Sequence, residues 1–174
     1  MTCGSPALTC AALNTMDPSA FRAALGAIFE GSAWVAERVS DARPFADIAA
    51  LHAAMCAAVR QASPAEQLAL LRAHPDLAGR AARANAMSSA SVTEQASAGL
   101  DRLTDEEFSR FERFNTAYRE RFGFPFIIAV RQHDKASILA AYQRRLPNTR
   151  EAEIATALDE VFAIARMRLQ AAVR

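Results

Sequence analysis

Apolar residues recur at intervals of three and four along most of this chain, which is the spacing of one face of an α-helix. Ile48, Leu51, Met55 and Val59 are the clearest example. Alanine, the residue with the highest intrinsic helix propensity, occupies 41 of the 174 positions, whereas glycine occupies only 6. The sequence therefore predicts an all-α fold.

Helix-start signals divide this pattern into separate helices. Asp17-Pro18 combines an N-cap residue with proline at the first helical position, and Asp134 is a further N-cap candidate. Ser91 with Glu94, and Thr104 with Glu107, have the spacing of a capping box. We expect about eight helices in a single compact domain spanning residues 14–174. Residues 1–13, an uncharged mixture rich in small residues, are expected to form a poorly ordered leader.

The segment from Phe122 to Val130 interrupts the helical pattern. Gly123 and Pro125 oppose an ordinary helix, yet eight of these nine residues are nonpolar. Because no second strand is evident for it to pair with, we predict an extended apolar segment, residues 122–130, that crosses the core. Its backbone donors and acceptors then need partners, and a bound ligand is one candidate.

Charge and hydropathy exclude several classes of function. The net charge of +1 is spread along the chain and gives no basic patch for nucleic acid. The longest apolar run, Ile48–Val59, is shorter than the roughly 20 residues of a membrane span. Cys3, Cys10 and Cys56 lack metal-ligand or disulfide spacing, so we interpret them as inert thiols in a reducing compartment.

The usual cofactor and nucleophile motifs are also missing. The sequence contains no G-x-G-x-x-G, P-loop, H-E-x-x-H or G-x-S-x-G pattern. Lys135 is the single lysine and is placed at an exposed helix start, which argues against Schiff-base chemistry. The sequence therefore predicts neither a metal nor a cofactor.

Three histidines remain as candidates for acid–base chemistry. His52 fits a packed or surface side chain in an alanine-rich helix, and His133 fits a solvated turn. His74 precedes proline, which disfavours helical backbone and places it on a bend. Two interpretations of His74 stay open, a helix C-terminal cap and an imidazole held toward a cleft. Glu94 likewise fits either a capping box or a carboxylate beside a pocket.

Three ordered blocks resemble one enzyme family. They are His74-Pro-Asp-Leu-Ala-Gly79, Ser91-Val-Thr-Glu-Gln95 continuing into Ala98-Gly-Leu-Asp101, and Arg121-Phe-Gly-Phe-Pro-Phe-Ile-Ile-Ala-Val130. Together they are similar to the signature blocks of OHCU decarboxylase, which acts on 2-oxo-4-hydroxy-4-carboxy-5-ureidoimidazoline, the last intermediate between urate and allantoin. The resemblance extends from about Leu13 to Leu169. Gln132, where the family often has glycine, and Met87–Ala90 depart from the pattern.

The resemblance implies an all-helical, cofactor-free homodimer that decarboxylates OHCU to (S)-allantoin. His74 corresponds to the catalytic acid and Glu94 to its essential companion. The substrate is expected against residues of all three blocks: Pro75, Ser91, Val92, Thr93, Glu94, Gln95, Phe126, Ile127, Ile128, Ala129 and Val130. Arg131 and Arg168 are both candidates for an arginine that meets the substrate carboxylate.

Two other hypotheses remain at this stage. One is a helical interaction module without enzymatic activity, and the other is a different cofactor-free acid–base enzyme on the same scaffold. The matched acidic and basic residues around Asp105–Arg113 are typical of a solvated helix face and do not favour the first. Because Ala-Val-Arg174 does not resemble the peroxisomal Ser-Lys-Leu signal, we expect a cytoplasmic location.

Overall fold

The computed structural model describes residues 8–78 and 87–174. Nine α-helices and two short 3₁₀ turns occur in these residues, and no β-strand does, which confirms the all-helical prediction. In chain order the helices are α1 Cys10–Thr15, α2 Pro18–Leu25, α3 Trp34–Val39, α4 Ile48–Arg60, α5 Pro64–Arg72, α6 Ser89–Ser97, α7 Asp105–Phe122, α8 Lys135–Arg145 and α9 Arg150–Ala172. Residues 77–86, for which the sequence predicts a weakly amphipathic helix, lie largely outside the described residues. None of the described helices is long and apolar enough to cross a membrane.

Local capping explains where several helices begin. The Asp17 side chain accepts hydrogen bonds from the backbone N–H groups of Ser19 and Ala20, with Pro18 in the first turn of α2. Thr104 and Glu107 form the expected capping box at the start of α7. Asp134 caps α8 by accepting from the Ser137 N–H. These three helix starts confirm the sequence-based predictions.

A helix, α1, precedes Asp17-Pro18, the first helix start that the sequence predicts. The Thr9 hydroxyl caps α1 by accepting from the Ala12 N–H, and Leu13 is fully buried. Order therefore reaches into the stretch 1–13 for which we expected a poorly ordered leader; residues 1–7 of that stretch lie outside the described residues. Buried Leu13, the Thr9 cap and hydrogen bonds from Asn14 to Phe45 hold this helix, and none of these residues has a distinctive spacing in the sequence.

The chain divides into two compact units. The first contains the described residues up to Leu70 together with Phe162–Arg174, and the second contains Leu71–Val161. Helices α5 and α9 each continue across the division without a break. The core of the first unit includes Phe21, Leu51, Met55, Val59 and Leu169.

The core of the second unit is aromatic. Tyr118 lies among the rings of Phe122, Phe124 and Phe126, with centroids 4.7, 5.8 and 5.1 Å away. Phe126 also stacks on Tyr142 at a centroid separation of 3.8 Å. These contacts bury the extended segment after α7, so the predicted apolar segment exists and lies in the core of this unit.

Candidate functional site

All three sequence blocks lie in the second unit, and direct contacts connect them. Gln95 of α6 hydrogen-bonds to the loop that follows His74: its amide nitrogen donates to the Asp76 carbonyl at 3.1 Å, and its amide oxygen accepts from the Ala78 N–H at 2.9 Å. Helix α6 also packs beside the 3₁₀ turn Val130–Gln132 at the end of the extended segment. Segments far apart in the sequence therefore form one candidate site.

His74 lies on the bend where α5 ends. Its N–H donates to the Leu71 carbonyl at 3.3 Å, and only 7% of the residue is exposed. Pro75 and Asp76 follow at intermediate exposure, and Asp76 forms an ion pair with Arg119 at 2.8 Å. His74 is thus buried on a loop that contacts two helices, α6 through Gln95 and α7 through Arg119.

The loop after His74 is strained at Ala78. This residue has φ of 52°, in the left-handed region that side chains other than glycine rarely adopt. The hydrogen bond from its N–H to Gln95 stabilises that conformation. Gln95 is 5% exposed and was predicted to bind substrate; the structure places both ends of its amide on the His74 loop.

Helix α6 begins three residues before the predicted start, which changes the interpretation of Glu94. Ser88, not Ser91, is the N-cap, and its hydroxyl accepts from the Ser91 N–H at 3.2 Å. Ser91 is therefore inside the helix and buried, and the predicted Ser91–Glu94 capping box was wrong. Because Glu94 lies in the second turn, capping no longer accounts for it.

The remaining predicted residues of α6 differ in exposure. Val92 is 42% exposed, and Thr93 is exposed with its hydroxyl donating to the Ser89 carbonyl at 3.0 Å. Glu94 is half-buried. Ser91, Glu94 and Gln95 therefore lie on or beside the buried side of α6, whereas Val92 and Thr93 lie on its outer side.

Charged side chains hold the backbone of the extended segment. Arg145 donates from Nη1 to the Ile127 carbonyl at 2.7 Å, and Glu160 accepts from the Ala129 N–H at 2.8 Å. The Ala129 and Val130 carbonyls accept within the following turn. Within residues 8–78 and 87–174, no hydrogen bond engages the N–H or carbonyl of Ile128. The Ile127 carbonyl and the Ala129 N–H already have hydrogen-bond partners within the protein. Fewer backbone groups of the segment are therefore left for a bound molecule.

A buried ion pair supports this arrangement. Arg145 contacts Glu153 with Nε at 2.8 Å and Nη2 at 2.7 Å, and Glu153 has no exposed surface. Asn148 and the Tyr118 hydroxyl also donate to Glu153. Burial, and then the hydrogen bond to Glu153, raise the pKa of Tyr118 far above its usual value, so this tyrosine stays a neutral donor.

The other titratable candidates have structural contacts elsewhere. His52 lies in the first unit with Nε2 2.8 Å from the Phe162 carbonyl, and His133 Nδ1 is 3.3 Å from the Ser137 hydroxyl. Lys135 forms an ion pair with Glu107 at 2.7 Å. The described part of the chain contains no cluster of histidine, cysteine, aspartate and glutamate suited to a metal ion.

The two candidate arginines lie in different places. Arg131 is exposed in the turn beside α6. Arg168 belongs to the first unit and forms an ion pair with Glu30 at 2.9 Å. A cavity of about 690 Å³ also lies in the first unit; its lining includes His52 and Arg166 but none of the residues predicted for the site.

Sequence reasoning missed the residues that hold the site together. Asn115, Arg145, Glu153 and Glu160 all contact the site's loops or their supports. Asn115 carried a signal, because it is a polar residue on the apolar face of α7. The other three are charged residues in amphipathic helices, where charge alone does not distinguish them.

Comparison with known proteins identifies the family. The model of the OHCU decarboxylase family matches residues 14–170. The chain belongs to the OHCU decarboxylase family. A 2-oxo-4-hydroxy-4-carboxy-5-ureidoimidazoline decarboxylase of Haloferax volcanii is 48% identical over 162 residues, which cover 93% of this chain and 94% of that protein.

Two solved structures of the family resemble this chain. A crystal structure of (S)-allantoin synthase is 37% identical with a TM-score of 0.78; the match covers 96% of this chain and 54% of that one. A crystal structure of OHCU decarboxylase in the presence of (S)-allantoin has a TM-score of 0.67 at 21% identity, over 90% of this chain and 97% of that one, and supports the fold alone. The match to the first structure spans about half of that structure's chain.

Proposed function

We propose that this chain decarboxylates OHCU to (S)-allantoin in urate degradation, with His74 as the proton donor and Glu94 orienting the substrate. The observation that carries the proposal is the assembly, in one unit of an OHCU decarboxylase family chain, of the His74 loop, helix α6 and the extended segment. The high identity to a decarboxylase that the chain covers almost completely supports the reaction type.

The substrate supplies its own electron sink. When the bond between the hydroxyl-bearing ring carbon and the carboxylate breaks, CO₂ leaves and the electron pair moves toward the adjacent C=N, whose nitrogen takes up a proton and leaves an enol between the two ring carbons. The hydroxyl then loses its proton as the ring C=O forms, and a proton delivered to one face of the ureido-bearing carbon makes the new C–H bond. The reaction therefore requires no cofactor, and the protein's tasks are to bind, to orient and to deliver one proton.

The site residues fit these tasks. His74 is buried on a fixed loop, and an imidazole can donate a proton near neutral pH. Glu94 would hold the hydroxyl or ureido group of the substrate by a directional hydrogen bond. The amide and carbonyl of Ile128 would meet the amide edge of the ring, while Pro75 and Phe126 would provide apolar walls. The α6 side of the substrate site would be completed by Ser91, Val92, Thr93 and Gln95, the last acting through its hydrogen bonds to the His74 loop. The side formed by the extended segment would be completed by Ile127, Ala129 and Val130.

The chirality of the product tests the role of His74. Spontaneous decay of OHCU yields racemic allantoin, so wild-type protein should give the (S) enantiomer at an accelerated rate, followed by circular dichroism on freshly generated OHCU. His74→Ala should lower the rate by about 10²–10⁴-fold and give racemic product. His52→Gln, which replaces a histidine in the first unit, is the matched control and should retain wild-type behaviour.

Enantiopure (S)-allantoin at the wild-type rate from a folded His74→Ala variant would refute the proton-donor role. Glu94→Gln keeps the side-chain shape but removes the charge, so an unchanged rate there would remove Glu94 from the mechanism. Racemic product at the uncatalysed rate from wild-type protein would overturn the proposed activity itself.

We also propose that the enzyme acts as a homodimer in the cytoplasm. Within the described residues neither Cys10 nor Cys56 forms a disulfide, which suits a reducing compartment. Light scattering coupled to size exclusion would give the mass in solution, and a monomer would contradict the dimer. Cell fractionation would test the location.

A further inference from the structure

A buried asparagine connects the His74 loop to the interior of the second unit. Asn115 is on α7 and almost fully buried. Its amide nitrogen donates to the Leu77 carbonyl at 2.9 Å, three residues after His74. Together with Gln95, which holds the Asp76 carbonyl and the Ala78 N–H, it fixes three consecutive residues of that loop.

The other side of the same amide is held by Tyr142. The Tyr142 hydroxyl donates to Asn115 Oδ1 at 2.5 Å, and its ring stacks on Phe126 of the extended segment at 3.8 Å with a 21° interplanar angle. Tyr142 is fully buried, and burial raises its pKa well above the usual value, so the hydroxyl keeps its proton. One side chain thus contacts both the asparagine that bonds to the His74 loop and Phe126 of the extended segment.

The direction of these hydrogen bonds is determined by chemistry. A peptide carbonyl can only accept, so the amide nitrogen of Asn115 must face Leu77. The amide oxygen then faces Tyr142, whose hydroxyl must donate. Neither group can reverse without leaving a buried polar atom unsatisfied, which is unfavourable.

We infer that Asn115 and Tyr142 are positioning residues that set His74 relative to the Phe126–Val130 segment. They act on proton delivery through the Leu77 carbonyl and the Phe126 ring. This inference rests on the proposed function, because His74 is the group being positioned. A misplacement of about 1 Å in such a group can reduce turnover by about 10²-fold.

Two substitutions test whether Asn115 and Tyr142 position His74. Asn115→Asp keeps the shape but places a carboxylate oxygen against the Leu77 carbonyl, and Tyr142→Phe removes only the hydroxyl and keeps the ring on Phe126. We expect kcat to fall about 10–100-fold in Asn115→Asp and less in Tyr142→Phe, with KM within about threefold of wild type and a lower enantiomeric excess of (S)-allantoin.

The first unit offers a matched control. Asn14 also bridges backbone groups with its amide, donating to the Phe45 carbonyl at 2.8 Å and accepting from the Phe45 N–H at 2.8 Å. Asn14→Asp makes the same chemical change and should cost thermal stability without altering kcat or product chirality. Loss of stability with unchanged kcat and chirality in both Asn115→Asp and Tyr142→Phe would show a merely structural role and overturn the inference.

A second measurement does not depend on activity. The imidazole resonances of His74, assigned by their loss in His74→Ala, should shift in Tyr142→Phe and Asn115→Asp and stay unchanged in Asn14→Asp, with His52 as an internal reference. If wild-type protein does not convert OHCU, the proposed function fails. This measurement still tests whether Asn115 and Tyr142 position His74. His74 resonances at their wild-type chemical shifts in the folded Tyr142→Phe variant would then overturn the inference.

Discussion

The buried pair of Arg145 and Glu153 gives the sharpest test of how the extended segment is held. We consider Glu153→Gln, which preserves shape but removes the negative charge. The Glu153 side chain has no exposed surface and that of Arg145 is 9% exposed, so the guanidinium would lose its counterion in a region that water scarcely reaches. Removal of one partner from a buried pair costs about 3–5 kcal/mol in the free energy of unfolding.

The cost is large enough to measure by thermal unfolding. For a chain of this length about 2–4 °C of melting temperature corresponds to each kcal/mol, so Glu153→Gln should melt about 6–20 °C below wild type. Glu151→Gln changes an exposed glutamate on the same helix and should remain within about 0.5 kcal/mol of wild type.

Double variants that also replace Arg145 decide whether buried charge is the cause. Arg145→Met with Glu153→Leu removes both charges, and a third variant, Arg145→Met with Glu153→Gln, removes them while the amide oxygen at position 153 still accepts from the Tyr118 hydroxyl. Loss of the donor to the Ile127 carbonyl costs each double variant about 1–3 kcal/mol, and the double variant with Glu153→Gln is the one compared with the single variant. If an unpaired guanidinium causes the loss, that double variant should be more stable than Glu153→Gln alone. Melting of that double variant at or below the single variant would refute this reasoning.

Two further predictions concern the surface and a turn. The hydrogen bond from Arg38, followed by those from the Ser63 N–H and hydroxyl, lowers the pKa of Glu66 from 4.5 to about 2. The stability difference between wild type and Glu66→Gln should therefore be complete above about pH 4.5 and should vanish as the pH falls through about 2, as measured by urea unfolding at several pH values; a pH-independent difference would contradict this. Gly123 ends α7 at φ of 80°, so Gly123→Ala should cost about 1–2 kcal/mol, and an unchanged melting temperature would show that the turn relaxes.

Helix starts could be predicted well because each depends on residues three apart. Thr104 with Glu107, Asp17 with Ala20, and Asp134 with Ser137 needed no knowledge of the rest of the fold. At α6 the sequence offers serines at 88, 89 and 91, and local spacing does not choose among them. Ser88 is the cap and Ser91 is buried inside the helix, and burial is a property of the whole unit.

The site was predictable only as far as its motif blocks. His74, Glu94 and the extended segment could be named because their residue types and order match a family pattern. The residues that support the site's loops could not be named from the sequence, because Asn115 bonds a carbonyl 38 positions away and Glu160 bonds an N–H 31 positions away. Hydrogen bonds to backbone atoms leave no complementary side chain in the sequence by which to recognise them.

The way the extended segment is anchored has a consequence for how this family can diverge. Arg145 donates to the Ile127 carbonyl, and Glu160 accepts from the Ala129 N–H. Both are main-chain groups that every residue except proline provides in the same positions. The Ile127 and Ile128 side chains can therefore be exchanged for other apolar side chains during evolution while the peptide groups that flank Ile128 keep their direction. Such exchanges should leave the backbone of the segment in place, whereas replacement of Arg145 or Glu160 should not.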